Sequence, residues 1–508
     1  MNLVTSPHFC CQPNSGGVFF RAVCFFSQKR MAVYKDQIVS IITMAGRFLN
    51  HILSFFVFTL LDILDFILCY SYKIADFCVE AEWKPCYCSS SAKEEALITS
   101  SCSGDILVSE HGEYSNKKKI VRLSCSNKVL QLEEISDTLY TRPSFVSEVS
   151  KSTATATKII QRRPTFTVNP TIVEMLQGKI KGRQQQTSTL PIPRWSECDC
   201  DTCTAWTCSS SKETLFVKAD GAKDDDVKED VLFIHGFISS SAFWTETIYP
   251  NMSEACKSKY RLLAVDLLGF GRSPKPIDSL YTLTDHLEMI EKSIMDAYKV
   301  KSFHIVAHSL GCILALALAV KYPDSVKSLT LLAPPYFPAP RGEQATQYMM
   351  RRVAPRRVWP PIAFGASVAC WYEHIGRTLC LVICKNHRFW EFLTKLLIRN
   401  RMRTYLMEGF FQHTHNSAWH TLHNIICGTA AKMEEYLEEL KNRSKCDVTI
   451  FHGEDDELIP VECSYNMQSK IPRAKVKVVQ NKDHITIVVG RKEAFARELE
   501  GIWDNASG

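Results

Sequence analysis

The ten residues 303–312 constrain the fold of this chain more than any other stretch. An apolar, β-branched run over residues 303–307 predicts a buried strand, and the leucine- and alanine-rich run after Cys312 predicts a helix. Ser309 stands between them, with Ala307 two residues before it and Gly311 two residues after it, which is the G-x-S-x-G pattern with alanine in the first glycine position. A strand that turns directly into a helix strains its corner residue, and bulky neighbours would collide there. The pattern therefore predicts a serine hydroxyl exposed at the end of a strand.

Apolar strands alternate with helices over the second half of the chain. Tyr281 to Tyr298 has helical spacing, and Thr282 and Asp285 predict a capping box at its start. Near-continuous apolar strands are typical of a mostly parallel sheet with helices on both faces. We expect an α/β domain over residues 213–508 that binds ligands at the carboxyl ends of its strands. Besides residues 303–307, the predicted strands are 231–235, 261–266, 326–332, 448–452 and 476–479.

Two side chains downstream of Ser309 complete a catalytic arrangement. A serine hydroxyl needs a base to take its proton, and the base needs an acid to fix its tautomer. Asp456 lies in a loop directly after one predicted strand, and His484 lies after the next, so the order Ser, Asp, His is met. We predict Ser309, Asp456 and His484 as the catalytic residues, with Asp455 as the competing acid.

The oxyanion of such a reaction needs backbone N–H donors. The N–H of Leu310 lies at the start of the helix after Ser309 and is therefore free of a helical partner. The loop after the strand ending at His235 reads His-Gly-Phe, and Gly236 allows close approach of the backbone. We predict the N–H groups of Phe237 and Leu310 as the two donors.

A long insert interrupts the strand–helix alternation at about residues 336–429. It is aromatic and basic, with twelve Lys and Arg against four Asp and Glu between residues 341 and 410. One interpretation is a cap over the active site whose apolar inner face holds an acyl chain. The other is a solvated helical face with ordinary core aromatics.

Composition excludes one class of partner. The net charge of +6 over 508 residues is mild, and no nucleic-acid-binding motif is present, so we expect no nucleic-acid partner. The spacings Cys86-x-Cys88 and Cys198-x-Cys200-x-x-Cys203 could hold zinc, but no matching Cys/His pair lies at the usual distance. We therefore expect no metal and no other cofactor. Disulfides, or free or lipid-modified thiols near a membrane, are the expected states of the cysteines.

The first 212 residues are expected to lie outside the catalytic domain. Residues 1–47 are predicted to be an N-terminal extension and residues 71–212 a Ser- and Cys-rich linker. The segment 48–70 is almost continuously apolar and about long enough to span a bilayer. It is compatible with a signal anchor, a cleaved secretory signal, or an amphipathic helix on a membrane or on the hydrolase, although Asp62 and Asp65 lie inside it.

The motifs together resemble a known family. The region from residue 231 onward resembles an α/β-hydrolase with a helical cap, on the motifs HGF (235–237), DLLGFGRS (266–273), AHSLG (307–311), HGEDDELIP (452–460) and KDHITIV (482–488). The residues 61–66, the block EWKPCYC (82–88) and the Ser-rich linker resemble the BODYGUARD family of plant hydrolases. Residues 1–43 are not covered. The resemblance implies a lysophospholipase-type enzyme of cuticle formation at the cell wall or outer cell surface, with Ser309, Asp456 and His484 as its triad.

These observations predict a serine hydrolase acting on a lipid ester at a membrane or cell-wall surface. Two alternatives stay open: an acyltransferase that passes the acyl group to a hydroxy-fatty acid and builds polyester, and a non-catalytic α/β-hydrolase scaffold that binds a hydrophobic ligand. An epoxide hydrolase is disfavoured, because it would need an aspartate where Ser309 stands. The sequence does not indicate the oligomeric state.

Overall fold

The computed structural model describes most of the chain from residue 195 onward and parts of the region before it. For residues 17–43 it describes the backbone only. The described residues are 17–81, 86–87, 120–122, 129–131, 134–139, 195–201, 203–204, 214–222, 227–276, 279–398, 404–443 and 446–506.

One long helix lies in the N-terminal part of the chain. Helix α1 spans Gly17–Glu80 and so begins and ends outside the apolar segment 48–70. No proline breaks the helix where it continues into the predicted N-terminal extension. The chain divides into two compact units, residues 1–58 and 59–508. The predicted domain boundaries stay a prediction, and most of the predicted linker 71–212 lies outside the described residues.

Two short strands pair in the linker region. Strand β1 (Ile120–Arg122) pairs antiparallel with β2 (Val129–Gln131). In the sequence, the short apolar runs 106–108 and 120–123 predict two strands that could pair. Strand β1 lies in the second run, and the first run lies outside the described residues.

A seven-stranded sheet forms the centre of the second unit. Its order is β3-β5-β4-β6-β7-β8-β9, and every neighbouring pair is parallel except β3 with β5. The predicted parallel sheet is therefore confirmed, with an antiparallel edge strand that the sequence analysis did not identify. The strands are β3 (Val217–Gly221), β4 (Glu229–Ile234), β5 (Tyr260–Val265), β6 (Phe303–His308), β7 (Val326–Leu332), β8 (Asp447–Gly453) and β9 (Lys475–Val479).

Helices connect the strands. The predicted capping box is present at the start of α4: the Thr282 hydroxyl accepts from the Asp285 N–H, and the Asp285 carboxylate accepts from the Thr282 N–H. Helix α5 is buried over almost its whole length, because leucine and alanine occupy all of its faces. The helices before the insert are α2 (Ala242–Thr245), α3 (Glu254–Lys259), α4 (Leu283–Ile290, continued by a π-helical turn, Glu291–Asp296) and α5 (Leu310–Lys321).

The insert between β7 and β8 is helical. It contains α6 (Ala345–Val353), α7 (Pro361–Trp371), α8 (Glu373–Val382), α9 (His387–Ile398), α10 (Thr404–Phe411) and α11 (His415–Thr421), the last continued by a π-helical turn, Leu422–Cys427. Four helices complete the fold: α12 (Lys432–Arg443), α13 (Glu462–Lys470), α14 (Thr486–Val489) and α15 (Lys492–Ala506).

A cluster of aromatic side chains packs against one face of the sheet. The ring of Phe233 on β4 contacts Trp244 at a centroid distance of 5.5 Å and Trp503 of α15 at 6.1 Å. Tyr260 on β5 contacts the same Trp503 at 5.5 Å. All four side chains are fully buried, and burial of each stabilises the fold by about 1.5–3 kcal/mol. This packing holds β4, whose carboxyl end leads into the predicted site.

Candidate active site

Ser309 occupies a sharp turn between β6 and α5. Its φ is +51° and its ψ is −119°, a conformation that few non-glycine residues adopt. The turn is held by the Ser309 N–H, which donates to the Leu332 carbonyl at 2.8 Å. A Cβ at Gly311 would lie 2.7 Å from the His235 carbonyl oxygen, so only glycine fits two residues after the serine. The strained turn places Ser309 at the carboxyl end of β6, at one edge of the sheet.

Two backbone segments meet beside this serine. Leu310 is the first residue of α5, where an N–H has no partner within the helix. On the other side, Gly236 lies two residues after the end of β4, and a Cβ at this position would lie 3.2 Å from the Ser309 Cβ. The next residue is Phe237. The segments that contain both predicted oxyanion donors therefore flank Ser309.

Asp456 and His484 are joined by a hydrogen bond. His484 Nδ1 donates to Asp456 Oδ2 at 2.7 Å, and the Asp456 side chain is completely buried. The other oxygen, Oδ1, accepts the backbone N–H groups of Leu458 at 3.0 Å and Ile459 at 2.9 Å. Burial alone would raise the pKa of this carboxyl, but the hydrogen bonds from His452, His484 and the Ile459 N–H hold it well below its usual range. Asp456 therefore stays ionised, and its negative charge lies next to the His484 imidazole.

The two candidate acids differ in exposure. Asp455 is exposed, and its backbone N–H donates to the Lys482 carbonyl at 2.9 Å. The carboxylate that contacts His484 is that of Asp456.

His308, directly before Ser309, contacts the segment that contains His484. Its Nε2 donates to the His484 carbonyl oxygen at 2.9 Å, and the two rings lie 4.7 Å apart. The other face of the ring stacks on Phe243 at 5.0 Å. Burial, and then the charge of a protonated His484, lower the pKa of His308 to about 3, so this ring stays neutral and remains a donor. The contact fixes the His484 backbone beside the serine turn.

Comparisons with known proteins agree with this fold. Residues 231–359 match the family model described as the alpha/beta hydrolase fold. The chain is 55% identical over 510 residues to the probable lysophospholipase BODYGUARD 3 of Arabidopsis thaliana, covering 94% of this chain and all of the relative. It is also 55% identical over 473 residues to the probable lysophospholipase BODYGUARD 1 of the same plant, covering 90% of this chain and 97% of the relative.

The chain belongs to the BODYGUARD family. The resemblance in the sequence is thereby confirmed, and the BODYGUARD chain has the α/β-hydrolase fold. Among solved structures, MenH from S. aureus is 19% identical with a TM-score of 0.43, over 57% of this chain and 99% of that one.

The BODYGUARD chain has its predicted site residues in loops that follow three strands of the same sheet, with β7 lying between the first of these strands and the other two. Ser309 follows β6, Asp456 follows β8 and His484 follows β9, all at the carboxyl edge of one sheet. Sequence analysis assigned no role to His308, although it is the middle residue of the G-x-S motif. Its contact with residue 484 is 176 residues distant in sequence, so no local pattern could have indicated it.

Proposed function

We propose that this BODYGUARD protein is a serine hydrolase of lipid esters, with Ser309, Asp456 and His484 as its catalytic residues. The observation that carries the proposal is the buried Asp456–His484 hydrogen bond beside a serine held in a strained turn. Such an arrangement performs acyl transfer through a covalent intermediate.

In the proposed reaction the Ser309 hydroxyl attacks the ester carbonyl carbon and its proton moves to His484 Nε2. The N–H groups of Phe237 and Leu310 bind the carbonyl oxygen as it becomes negative, and loss of one such donor typically lowers the rate about 10²–10³-fold. The tetrahedral intermediate then expels the alcohol, which takes the proton from His484. Water then attacks the acyl carbon of the acyl-serine and gives a proton to His484. The intermediate releases the fatty acid, and Ser309 regains its proton from His484.

His484 is proposed as the base because its environment differs from that of His308. The Asp456 carboxylate accepts the His484 Nδ1 proton and orients the ring so that Nε2 can take the serine proton. His308 is buried against Phe243 and its pKa is lowered to about 3, so it cannot hold a proton during turnover. The division of roles between the two neighbouring histidines follows from their partners.

The proposed substrate class is a lysophospholipid or a related acyl ester. Support comes from the relatives, which are named probable lysophospholipases, and from the apolar side chains on the outer face of α9. Phe392 is 65% exposed and Leu397 is 70% exposed. An exposed apolar helix face of this kind favours contact with a lipid surface.

Membrane association is also proposed. One helix in the described part of the chain, Met44–Glu80, is long and apolar enough to cross a membrane by length and composition. Within residues 59–80 its acidic side chains bind the insert: Asp62 pairs with Arg356 at 2.7 Å, and Asp76 pairs with Arg377 at 2.6 Å. On other faces of the same stretch, Ile74 is 57% exposed. The family resemblance extends the proposal to the cell wall or outer face of the plasma membrane and to cuticle formation.

A covalent probe tests the reaction type. A fluorophosphonate should label Ser309 in the folded full-length protein, and Ser309→Ala should abolish both labelling and hydrolysis of lysolipids without changing the melting temperature. Failure to label Ser309 in folded wild-type protein would instead indicate a non-catalytic hydrophobic-ligand binder.

A product assay tests hydrolysis against transfer. The purified enzyme is given a panel of lysolipids and hydroxy-acyl esters, with and without a hydroxylated fatty acid as acceptor. Free fatty acid as the main product supports the hydrolase. Acyl transfer to the acceptor as the main product would replace it by an acyltransferase that builds polyester.

A further inference from the structure

Three groups of cysteines and histidines contain at least one residue of the insert, and none of them includes Ser309. In each group the possible ligand atoms lie within 4.8 Å of one another, and only one of the groups in the described part of the chain offers four of them. We call this group the Cys3His cluster: Cys198, Cys200, Cys203 and His387. The other two groups are Cys380 and Cys384 with His413, and Cys69 and Cys86 with His374.

We propose that the Cys3His cluster binds one structural zinc ion. Three thiolates and one imidazole are a ligand set that zinc takes in closed, four-coordinate sites. The sequence analysis expected no metal because it sought a second Cys/His pair near the cysteines. The fourth ligand instead comes from the start of α9, 184 residues beyond Cys203.

The distances inside the cluster match the edges of a zinc tetrahedron. His387 Nε2 lies 3.5 Å from the sulfur of Cys200 and 3.5 Å from that of Cys203. A tetrahedral ion with Zn–S of about 2.3 Å and Zn–N of about 2.0–2.1 Å would separate sulfur and nitrogen by about 3.6 Å. These two sulfur–nitrogen distances therefore fit a central ion, and all four ligand atoms lie within 4.8 Å of one another.

The outer nitrogen of the histidine has the partner that a zinc ligand needs. His387 Nδ1 lies 3.1 Å from Glu391 Oε1, one turn further along α9. A proton on Nδ1 donates to this carboxylate and leaves the Nε2 lone pair facing the sulfurs, which is the carboxylate–histidine–zinc arrangement.

The segment that contains the cysteines is held in place from both sides. The Trp195 indole N–H donates to Asp76 at 2.7 Å, and Arg377 of α8 donates to the Ser196 hydroxyl at 3.3 Å. The ligands are thus brought to α9 by contacts that do not need the ion. Zinc bound there would cross-link the end of the linker to the insert and contribute its binding free energy to the stability of the fold.

The neighbouring group of Cys380, Cys384 and His413 is a separate cluster. Its sulfur–nitrogen distances are 3.7 and 3.9 Å, and it lines the same cavity as Cys198 and Cys203. It offers three ligand atoms rather than four, so we assign it no metal.

Metal content measures the site directly. Full-length protein is purified without chelators, and the number of zinc ions per chain is measured by inductively coupled plasma mass spectrometry. His387→Ala and Cys200→Ser should each lose about one zinc per chain relative to wild type. Glu391→Gln should weaken zinc binding about 10–100-fold in competition with a chelator. The control Cys78→Ser removes an exposed cysteine outside the three groups and should leave the zinc content unchanged.

A measurement on the wild-type chain avoids any folding defect of the variants. Alkylation of folded protein is mapped by peptide mass spectrometry at the three cysteines of the Cys3His cluster. They should be protected until a zinc chelator is added, with no reductant required. Labelling without chelator, release by reductant alone (which means a disulfide), or unchanged zinc in folded His387→Ala protein would each overturn the proposal.

Discussion

Replacing Asp456 by asparagine separates the charge of the catalytic acid from its shape. In the wild type, Oδ1 accepts two backbone N–H groups, from Leu458 and Ile459, and Oδ2 accepts the His484 Nδ1 proton. An asparagine oxygen will keep the two backbone bonds, because each contributes about 0.5–1.5 kcal/mol. The amide NH₂ then faces His484.

That orientation forces the wrong tautomer on the base. Nδ1 must now accept from the amide, so the ring proton moves to Nε2 and no lone pair is left to take the Ser309 proton. In a serine protease the equivalent change lowers kcat about 10⁴-fold, and we expect a loss of the same size here. It corresponds to about 5 kcal/mol of transition-state stabilisation. The KM should change little, because this side chain is completely buried.

The assay is the initial rate of hydrolysis of a lysophospholipid and of a nitrophenyl ester over a range of concentrations. The neighbouring change Asp455→Asn is the matched control, because this carboxylate is exposed, and it should leave kcat unchanged. Asp456→Asn protein that keeps kcat within about tenfold of wild type would refute the assignment. So would an equal loss in Asp455→Asn.

Three further results are expected. Gly236→Ala places a Cβ 2.8 Å from His308 Nδ1 and 3.2 Å from the Ser309 Cβ; the displaced turn should lower kcat about 10²-fold while the protein stays folded. Asp65→Ala removes the acceptor for the His374 and Ile375 N–H groups at the start of α8, and chemical denaturation should show a loss of about 1–2 kcal/mol. The depressed pKa of Asp456 gives stability that is complete above its unfolded value of about 3.9 and is lost as the pH falls toward the folded value. The difference in unfolding free energy between wild type and Asp456→Asn should therefore shrink below about pH 4.

Each of these results has an outcome that would contradict it. Normal kcat in Gly236→Ala would mean that the loop after β4 does not approach the serine. A melting temperature unchanged by Asp65→Ala would show that α8 does not depend on α1 for its cap. A stability difference that grows on acidification would reverse the sign expected for a carboxylate with a lowered pKa.

The sequence predicted the sheet because each central strand is buried on both faces and therefore apolar throughout. Strand β3 was missed because its residues are largely exposed and its sequence, VKADG, has no apolar run. It adds to the edge of the sheet through backbone hydrogen bonds to β5, which side-chain patterns do not reveal.

The catalytic candidates were accessible to sequence analysis because each lies in the turn or loop after a strand. Contacts between distant segments were not. His308 reaches residue 484 only after the sheet has formed, and His387 reaches Cys203 only after the insert has folded over the preceding segment. Local spacing of cysteines and histidines does not reveal a metal site when one ligand comes from a distant part of the chain.

The three aspartates between residues 59 and 80 restrict how the protein can mature. Asp62 pairs with Arg356, and Asp76 pairs with Arg377. Asp65 accepts N–H groups in the first turn of α8. Loss of the chain up to residue 80 would remove the carboxylates that pair with these two guanidinium groups and the acceptor for two N–H groups of α8. If the chain is trimmed by proteolysis, we therefore expect the cut to fall upstream of Asp62, so that this length of helix stays with the rest of the second unit.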